Sequence, residues 1–255
     1  MTVFPEDYLT ENAFLGGALR LLQPKDGYRA GIDPVLLAAA CPAKAGDTVL
    51  DLGCGGGIAG LCLARRVPGI DLTGVELQPA YADLARRNAN LNAIPATIVE
   101  ADLRDLPAAL RQRQFTHVIA NPPYFERSKT TPSTNPGRAT ARSGEATLAD
   151  WIDTAARRLA PRGALTLIQK PDRLPQILAA LEGRLGSMQI APLAPRAGRD
   201  PNLVLVRAVK DGRAPLRLAA PLPLHDGPEH LSDTDDYTQT ISKVLRKTAP
   251  LPLWN

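Results

Sequence analysis

The chain has 255 residues, 44% of them hydrophobic, and carries 30 Lys and Arg against 26 Asp and Glu for a formal charge of +4. That length supports one large domain with a proper core, and the mild positive balance leans towards polyanionic partners without the charge run of a basic tail. Cys41, Cys54 and Cys62 cannot all pair and lack C-x-x-C spacing, which argues against a disulfide scaffold or a structural metal site and for a reducing compartment. The first seven residues form no signal peptide, and no apolar run approaches the roughly 18 residues that span a bilayer. A soluble, cytoplasmic protein is the expectation.

Asp33–Cys41 reads as a helix, with Asp33 as N-cap and Pro34 at the first helical position. Thr48–Leu52 is a buried strand that enters a glycine-rich turn, with a helix over Ile58–Arg66 behind it. A strand at Asp71–Glu76, a helix at Pro79–Leu91, a strand at Ala96–Glu100, a helix at Leu106–Gln112 and a strand at Phe115–Ala120 follow. Beyond them the pattern predicts a helix at Thr147–Leu159, a strand at Ala164–Gln169, a helix at Arg173–Leu185, and short strands at Met188–Ala191 and Leu203–Val209. This alternation predicts an α/β fold with a mostly parallel seven-stranded sheet and helices on both faces. Such a sheet binds its ligand at the carboxyl ends of the strands, where strand order reverses.

Two stretches depart from the pattern. Residues 126–145 hold twelve Ser, Thr, Pro, Gly or Asn, four Lys or Arg and two Glu, as expected of a mobile, slightly basic loop. Proline-rich Ala214–Pro228 leads to a short helix in which Tyr237, Ile241, Val244 and Leu245 share one face. The chain divides into an N-terminal segment and helix (1–45) near the ligand site, a central domain (46–210) and a C-terminal extension (211–255).

Asp51-Leu-Gly-Cys-Gly-Gly-Gly57 lies where a strand turns into a helix. Glycines there let backbone amides approach a ligand, and the helix N-terminus adds partial positive charge. Gly55–Gly60 formally matches G-x-G-x-x-G, and Glu76 follows 21 residues (76 − 55) after Gly55, an arrangement that a dinucleotide-binding fold also predicts. Asp51 and Asp102 tip the balance. A pyrophosphate gains nothing from a carboxylate beside its cradle, whereas a cationic sulfonium carrying an α-amino acid does.

The D-x-G-x-G pattern of Asp51, Gly53 and Gly55 resembles the S-adenosylmethionine loop of class I methyltransferases. The resemblance implies the Rossmann-like class I methyltransferase fold and S-adenosyl-L-methionine as cofactor. Its contacts would come from Asp51, Gly53, Cys54, Gly55, Glu76, Leu77, Asp102, Leu103 and Asn121. Glu76 would hold the ribose hydroxyls and Asp102 would accept from the adenine amine. The plainer alternatives are that Asp51 caps the turn, Asp102 caps the next helix, and Cys54 is a small neutral filler.

Asn121-Pro-Pro-Tyr124 ends the fourth strand of the sheet pattern, with Phe125 after it, in a chain of only eleven aromatic residues. The exocyclic amine of adenine is a poor nucleophile because its lone pair is delocalised into the ring. The Asn121 side-chain oxygen and the Pro122 carbonyl can accept from its two N–H groups and aim that lone pair at a methyl donor. Tyr124 can stack on a base turned out of its strand. The tetrapeptide is similar to the N-P-P-[YF] motif of methyltransferases acting on planar amines: adenine N6, guanine N2 or a glutamine amide. Two prolines that merely stop a strand are the bland alternative.

Leu15-Gly-Gly17, Gln23–Asp33, Ala120–Phe125 and Pro192–Gly198 together resemble the bacterial tRNA(Val) adenine-N6 methyltransferase family, from about residue 14 to about residue 217. The resemblance implies RNA binding and tRNA modification, at the adenine 3′ of the anticodon. Substrate contacts would come from Tyr124, Phe125, the loop residues Arg127, Lys129, Arg138 and Arg142, and from Lys25, Tyr28 and Arg29. Arg196, Arg199, Arg207, Lys210, Arg213 and Arg217 offer further phosphate contacts, against the plainer reading of a solvated polar face. His117 reads as structural, and His225 and His230 lack metal-ligand spacing to any cysteine. Competing readings are transfer to a release-factor glutamine amide or a ribosomal RNA base, a nicotinamide-dependent oxidoreductase, and a catalytically idle RNA-binding module. The oxidoreductase leaves Asp51 and Asn121–Tyr124 without a role.

Overall fold

The computed structural model describes residues 3–26, 29–124, 146–227, 229 and 236–254. A hairpin of β1 (Leu9–Phe14) and β2 (Leu19–Pro24) precedes helix α1 (Asp33–Ala40). The chain then alternates β3 (Thr48–Leu52), α2 (Ile58–Arg66), β4 (Asp71–Glu76), α3 (Pro79–Leu91), β5 (Ala96–Glu100), α4 (Ala108–Gln112) and β6 (Phe115–Ala120). After these come α5 (Leu148–Arg158), β7 (Leu159–Gln169), α6 (Leu174–Leu181), β8 (Gly186–Arg196) and β9 (Leu203–Val209). Two short strands, β10 (Arg217–Leu218) and β11 (Leu222–His225), and helix α7 (Gln239–Lys247) close the fold.

The main sheet runs β10-β8-β9-β7-β6-β3-β4-β5, with β11 continuing along the same edge of β8 as β10. Only β9 is antiparallel to its neighbours. The expected seven strands are present, but the sheet has nine. The two additional strands arise from the proline-rich stretch, too short and too broken by proline to show a period of two. The order reverses at β3, which has β4 on one side and β6 on the other. Gly53 and Asn121 directly follow the paired residues Leu52 and Ala120 there, so the two motifs emerge side by side at the switch point.

The strands bury both faces, as parallel strands covered by helices do. Val49, Ile119, Ile168 and Leu205 join α1, α2 and α7 in one cluster. Their neighbours Leu50, Val118, Leu167 and Val206 join α5 and α6 in the other. Several boundaries differ from the sequence reading. The first turn of α1 begins at Asp33, but Ile32 is its N-cap, and the Asp33 carboxylate instead accepts from the Tyr124 hydroxyl. Helix α4 starts at Ala108 rather than Leu106, and α6 ends at Leu181, before Gly183 at φ +69°. Strand β7 starts five residues early because Leu159 already pairs with Phe115, and a register shift follows. Strand β8 runs on to Arg196.

The hairpin is held by helix α3 through side-chain amides. Asn88 accepts from the Leu22 amide (2.7 Å) and donates to the Leu22 carbonyl (3.1 Å). One turn later Asn92 does the same to Arg20, accepting at 2.9 Å and donating at 2.6 Å. Each asparagine replaces a missing strand partner for β2. Asn88, fully buried, also donates to the Gly56 carbonyl at 2.9 Å and so ties the hairpin to the glycine turn.

Candidate active site

The glycine turn is shaped by steric need. Gly53, Gly55 and Gly57 lie at φ +58°, +54° and +84°, in the left-handed region that favours glycine. A Cβ on Gly53 would collide with the Trp151 ring, whereas one on Gly55 would meet nothing within 4 Å. The turn is therefore packed on one side and open on the other. Gly57 is the N-cap of α2 and has no side chain to satisfy the helix's first amides. Asp51 does so from β3: its Oδ2 accepts from the Gly60 amide at 2.9 Å. Asp51 is 3% exposed, and burial raises its carboxyl to about 7. The geometry thus gives Asp51 the turn-capping role that the sequence left as the plainer alternative. Cys54, also buried, donates its backbone amide to the Val75 carbonyl at 2.9 Å.

At the end of β4 the Glu76 carboxylate faces the turn. It accepts from the Gly55 amide (2.9 Å) and the Gln78 amide (2.8 Å), and burial raises its pKa while these amides pull it down. Two of its roughly four lone-pair sites are thereby engaged. Leu77 beside it is 60% exposed, an apolar surface turned to solvent at the mouth of the site. After β5, Asp102 accepts from the Arg104 amide (2.8 Å) and pairs with its guanidinium (2.6 Å), while Leu103 is buried. The donor set matches a nucleoside carrying an α-amino acid: carboxylates for hydroxyls and an amine, an open glycine turn for close backbone approach, and leucines for a ring.

Asn121 is half-buried at the tip of β6, and among the described residues its side-chain amide has no hydrogen-bond partner. The Pro122 carbonyl accepts from Gln169 Nε2 at 3.2 Å, and the Pro123 carbonyl from the same amide at 3.4 Å. Gln169 ends β7 and is fully buried, with its Oε1 taken by the Lys170 amide at 2.9 Å. Among the described residues, Tyr124 is tethered by its hydroxyl to Asp33 and by the Lys170 ammonium 5.1 Å from its ring centroid. The sequence reading missed Gln169 and Lys170, and it missed the contact of Asp33 with Tyr124. No local spacing links these residues to the tetrapeptide, because β7 and α1 reach it through the sheet.

Other sequence-derived candidates fall elsewhere. Arg29 is engaged by the hairpin, donating to Thr10 Oγ1 (2.8 Å), the Pro24 carbonyl (2.7 Å) and Asn12 Oδ1 (2.9 Å). Lys25 is exposed at the end of β2. Of the six later cations, Arg196 pairs with Asp236, Arg207 with Gln189, and Lys210 with the Ala156 and Leu159 carbonyls. Arg199, Arg213 and Arg217 remain exposed. Tyr28, Phe125, Arg127, Lys129, Arg138 and Arg142 lie outside the described residues. Among the described residues no group of three His, Cys, Asp or Glu can hold a metal, and no helix is long and apolar enough to cross a membrane.

A switch-point glycine turn with an acidic residue ending the next strand, on this sheet order, defines a class I S-adenosyl-L-methionine-dependent methyltransferase. Residues 32–192 match the methyltransferase small domain family. The tRNA1(Val) (adenine(37)-N6)-methyltransferase of Porphyromonas gingivalis is 33% identical over 187 residues, 69% of this chain and 72% of its own. The enzyme of that name from Shewanella baltica is 33% identical over 186 residues, 70% and 76% of the two chains. The chain belongs to this family of bacterial adenine-N6 methyltransferases. A solved structure from Agrobacterium tumefaciens, described as a predicted O-methyltransferase, superposes with a TM-score of 0.71 at 30% identity, over 86% of this chain and 98% of its own. A 16S rRNA N2 methyltransferase of T. thermophilus, solved with AdoMet and guanosine, shares the fold at a TM-score of 0.54 and 23% identity, over 79% of this chain and 50% of its own.

Proposed function

We propose that this protein methylates the exocyclic N6 amine of an adenine in tRNA, the adenine 3′ of the anticodon of tRNA(Val). The observation that carries the reading is the juxtaposition of Asn121–Tyr124 with the glycine turn on adjacent strands, β6 and β3. The cofactor, when bound, supplies an electrophilic methyl group on a sulfonium. Glu76 would accept from the ribose hydroxyls with its remaining lone pairs, Asp102 would accept from the adenine amine, and Leu77 and Leu103 would offer apolar surface to the ring. The backbone of Gly53, Cys54 and Gly55 would hold the amino-acid end, beside the helix cap that Asp51 supplies.

For the substrate, Asn121 Oδ1 and the second lone pair of the Pro122 carbonyl accept the two N–H groups of the amine. Held this way, the nitrogen turns its lone pair out of conjugation and towards the methyl donor, and orientation does most of the work. No strong general base is needed, because the methylated nitrogen sheds its proton readily. Gln169 keeps the Pro122 carbonyl in place and Tyr124 forms the stacking platform for the base. Supporting the tRNA reading are the names of the relatives, the net charge of +4 and the exposed Arg199, Arg213 and Arg217.

The test is methyl transfer from labelled S-adenosylmethionine to unmodified bulk tRNA, followed by nucleoside analysis. N6-methyladenosine is the expected product. Label in a ribose or other oxygen-methylated nucleoside would instead favour the chemistry named for the Agrobacterium structure. No label at all in tRNA, with cofactor binding intact, would move the substrate to ribosomal RNA or a release-factor glutamine.

A further inference from the structure

Asp33 lies one place inside α1, behind the N-cap Ile32, and its carboxylate accepts from the Tyr124 hydroxyl 91 positions further along the chain. This acceptor stands on fixed ground. Pro34 to Ala40 behind it are all buried. Ahead of it, the Ala30 amide donates to Gln23 Oε1 at 2.8 Å, and Gln23, 4% exposed, donates in turn to Asn12 Oδ1 at 3.1 Å. Hairpin and helix therefore decide where the Asp33 carboxylate lies, and the tyrosine conforms to it.

Lys170 approaches the same ring from the end of β7, its ammonium 5.1 Å from the centroid. Its own backbone is held on both sides, the amide donating to Gln169 Oε1 at 2.9 Å and the carbonyl accepting from the Arg173 amide at 3.1 Å. The two contacts act on different torsions of a side chain that has only two. The phenolic oxygen lies on the axis running from Cβ through the ring, so a hydrogen bond there fixes the axis but lets the ring spin about it. A cation is attracted to the face of an aromatic ring and repelled by its edge, so the ammonium restrains the spin.

We infer that Asp33 and Lys170 are positioning residues that together set the plane on which the target base stacks, Asp33 through the axis of the Tyr124 side chain and Lys170 through its rotation. The inference rests on the adenine-methylating reading above and extends its machinery beyond the Asn-Pro-Pro-Tyr motif to α1 and β7. A ring oriented before the base arrives loses little torsional freedom when the base stacks on it. The amine then meets Asn121 and the Pro122 carbonyl at a defined angle, which is where orientation lowers the barrier. Neither Asp33 nor Lys170 needs to touch the base.

Single-turnover methyl transfer to unmodified tRNA tests this, with S-adenosylhomocysteine binding followed by calorimetry. Asp33→Ala, Tyr124→Phe and Lys170→Met are each expected to lower the rate by about two- to tenfold, the effect of leaving one side chain to be ordered by the substrate. Cofactor affinity should stay at the wild-type level. The Asp33→Ala/Tyr124→Phe double variant should lose no more than either single variant, because both remove the same bond. Asp33→Asn, which keeps an acceptor, and Lys170→Arg, which keeps a cation, should regain most of the loss. Losses that multiply in the double variant, or an Asp33→Asn loss equal to that of Asp33→Ala, would make Asp33 a charge at the start of a helix and overturn its role. Wild-type rates in Tyr124→Phe and Lys170→Met would overturn the inference even if Asp33→Ala fails to fold, and would leave the methyl-transfer reading intact. Wild-type protein that does not methylate tRNA would overturn that reading itself, and is seen before any variant is made.

Discussion

Asn121 separates binding from chemistry. Its amide has no partner among the described residues, so removing it leaves no buried group unsatisfied in the free protein. Asn121→Ala is expected to bind S-adenosylhomocysteine normally and to lose turnover by about a hundred- to a thousandfold, the usual effect of deleting one positioned hydrogen bond to the reacting centre. Wild-type kcat in single-turnover assays would end its role. Gln169→Ala acts one step back, by freeing the Pro122 and Pro123 carbonyls. A shift of that carbonyl by a fraction of an ångström should lower kcat by roughly ten- to a hundredfold with cofactor affinity unchanged. A variant that loses cofactor affinity in proportion to kcat would show a merely structural glutamine. Asp51 gives a third prediction. Burial raises its pKa from 3.8 to about 7 in the fold, so between those values the folded chain holds a proton that the unfolded chain has lost. Stability then falls as pH rises through that window and levels off above it, by up to about 4 kcal/mol. Asp51→Asn keeps an acceptor for the Gly60 amide without the charge. The cofactor-free variant should melt above the wild type at pH 8, with the gap narrowing as pH approaches 4. Parallel pH–melting curves for the two proteins would contradict the assignment.

Elements whose residues carry their own signal were legible in the sequence. Strands β3, β4, β5, β6 and β9 and helices α2 and α3 begin and end on the residues that apolar runs, proline at the first helical turn and flanking glycines had marked. The N-terminal hairpin was not. Burial along β1 alternates only between half-buried and exposed, with polar Thr10 and Asn12 on the inner side, and the partners that complete β2 are the side chains of Asn88 and Asn92, more than sixty residues away. In the sequence those asparagines look like the polar face of a helix. The site divides in the same way. The glycine turn, Glu76 and Asn121–Tyr124 could be read from contiguous motifs, whereas Asp33 reaches Tyr124 across 91 positions and Gln169 reaches Pro122 across 47. The paired asparagines allow an internal comparison, since they make the same contacts at different depths. Asn88→Ala strands the Leu22 backbone and the Gly56 carbonyl in the interior and should cost roughly 3 kcal/mol, with weaker cofactor binding through the turn. Asn92→Ala leaves groups that water can reach, and should cost under about 1 kcal/mol with cofactor affinity intact. Equal losses in urea denaturation would refute the tether between hairpin and turn.

At the scale of the molecule, the C-terminal residues are part of the core rather than an ornament on it. Ile241, Val244 and Leu251 are buried at 0%, 1% and 4% exposure in the cluster that also holds α1, α2 and one face of the sheet. The tail is pinned to the end of α1 as well, where the Leu251 amide donates to the Ala39 carbonyl at 2.9 Å and the Trp254 indole to that of Ala40. Burying three such side chains stabilises by about 5–9 kcal/mol in sum, comparable to the whole net stability of about 5–15 kcal/mol that domains possess. Removing the tail also uncovers Leu15 and Val35, which line a crevice together with Val244 and Ala249, so the loss is one of core and not only of surface. A chain ending at residue 235 is therefore expected to lose its cooperative thermal transition, or to melt at least about 10 °C below the full chain. It should lose cofactor binding in parallel, because α2 and the glycine turn rest on the same cluster. A truncated chain that melts cooperatively near the full-length temperature and still binds S-adenosylhomocysteine would show instead that the tail is a separable appendage.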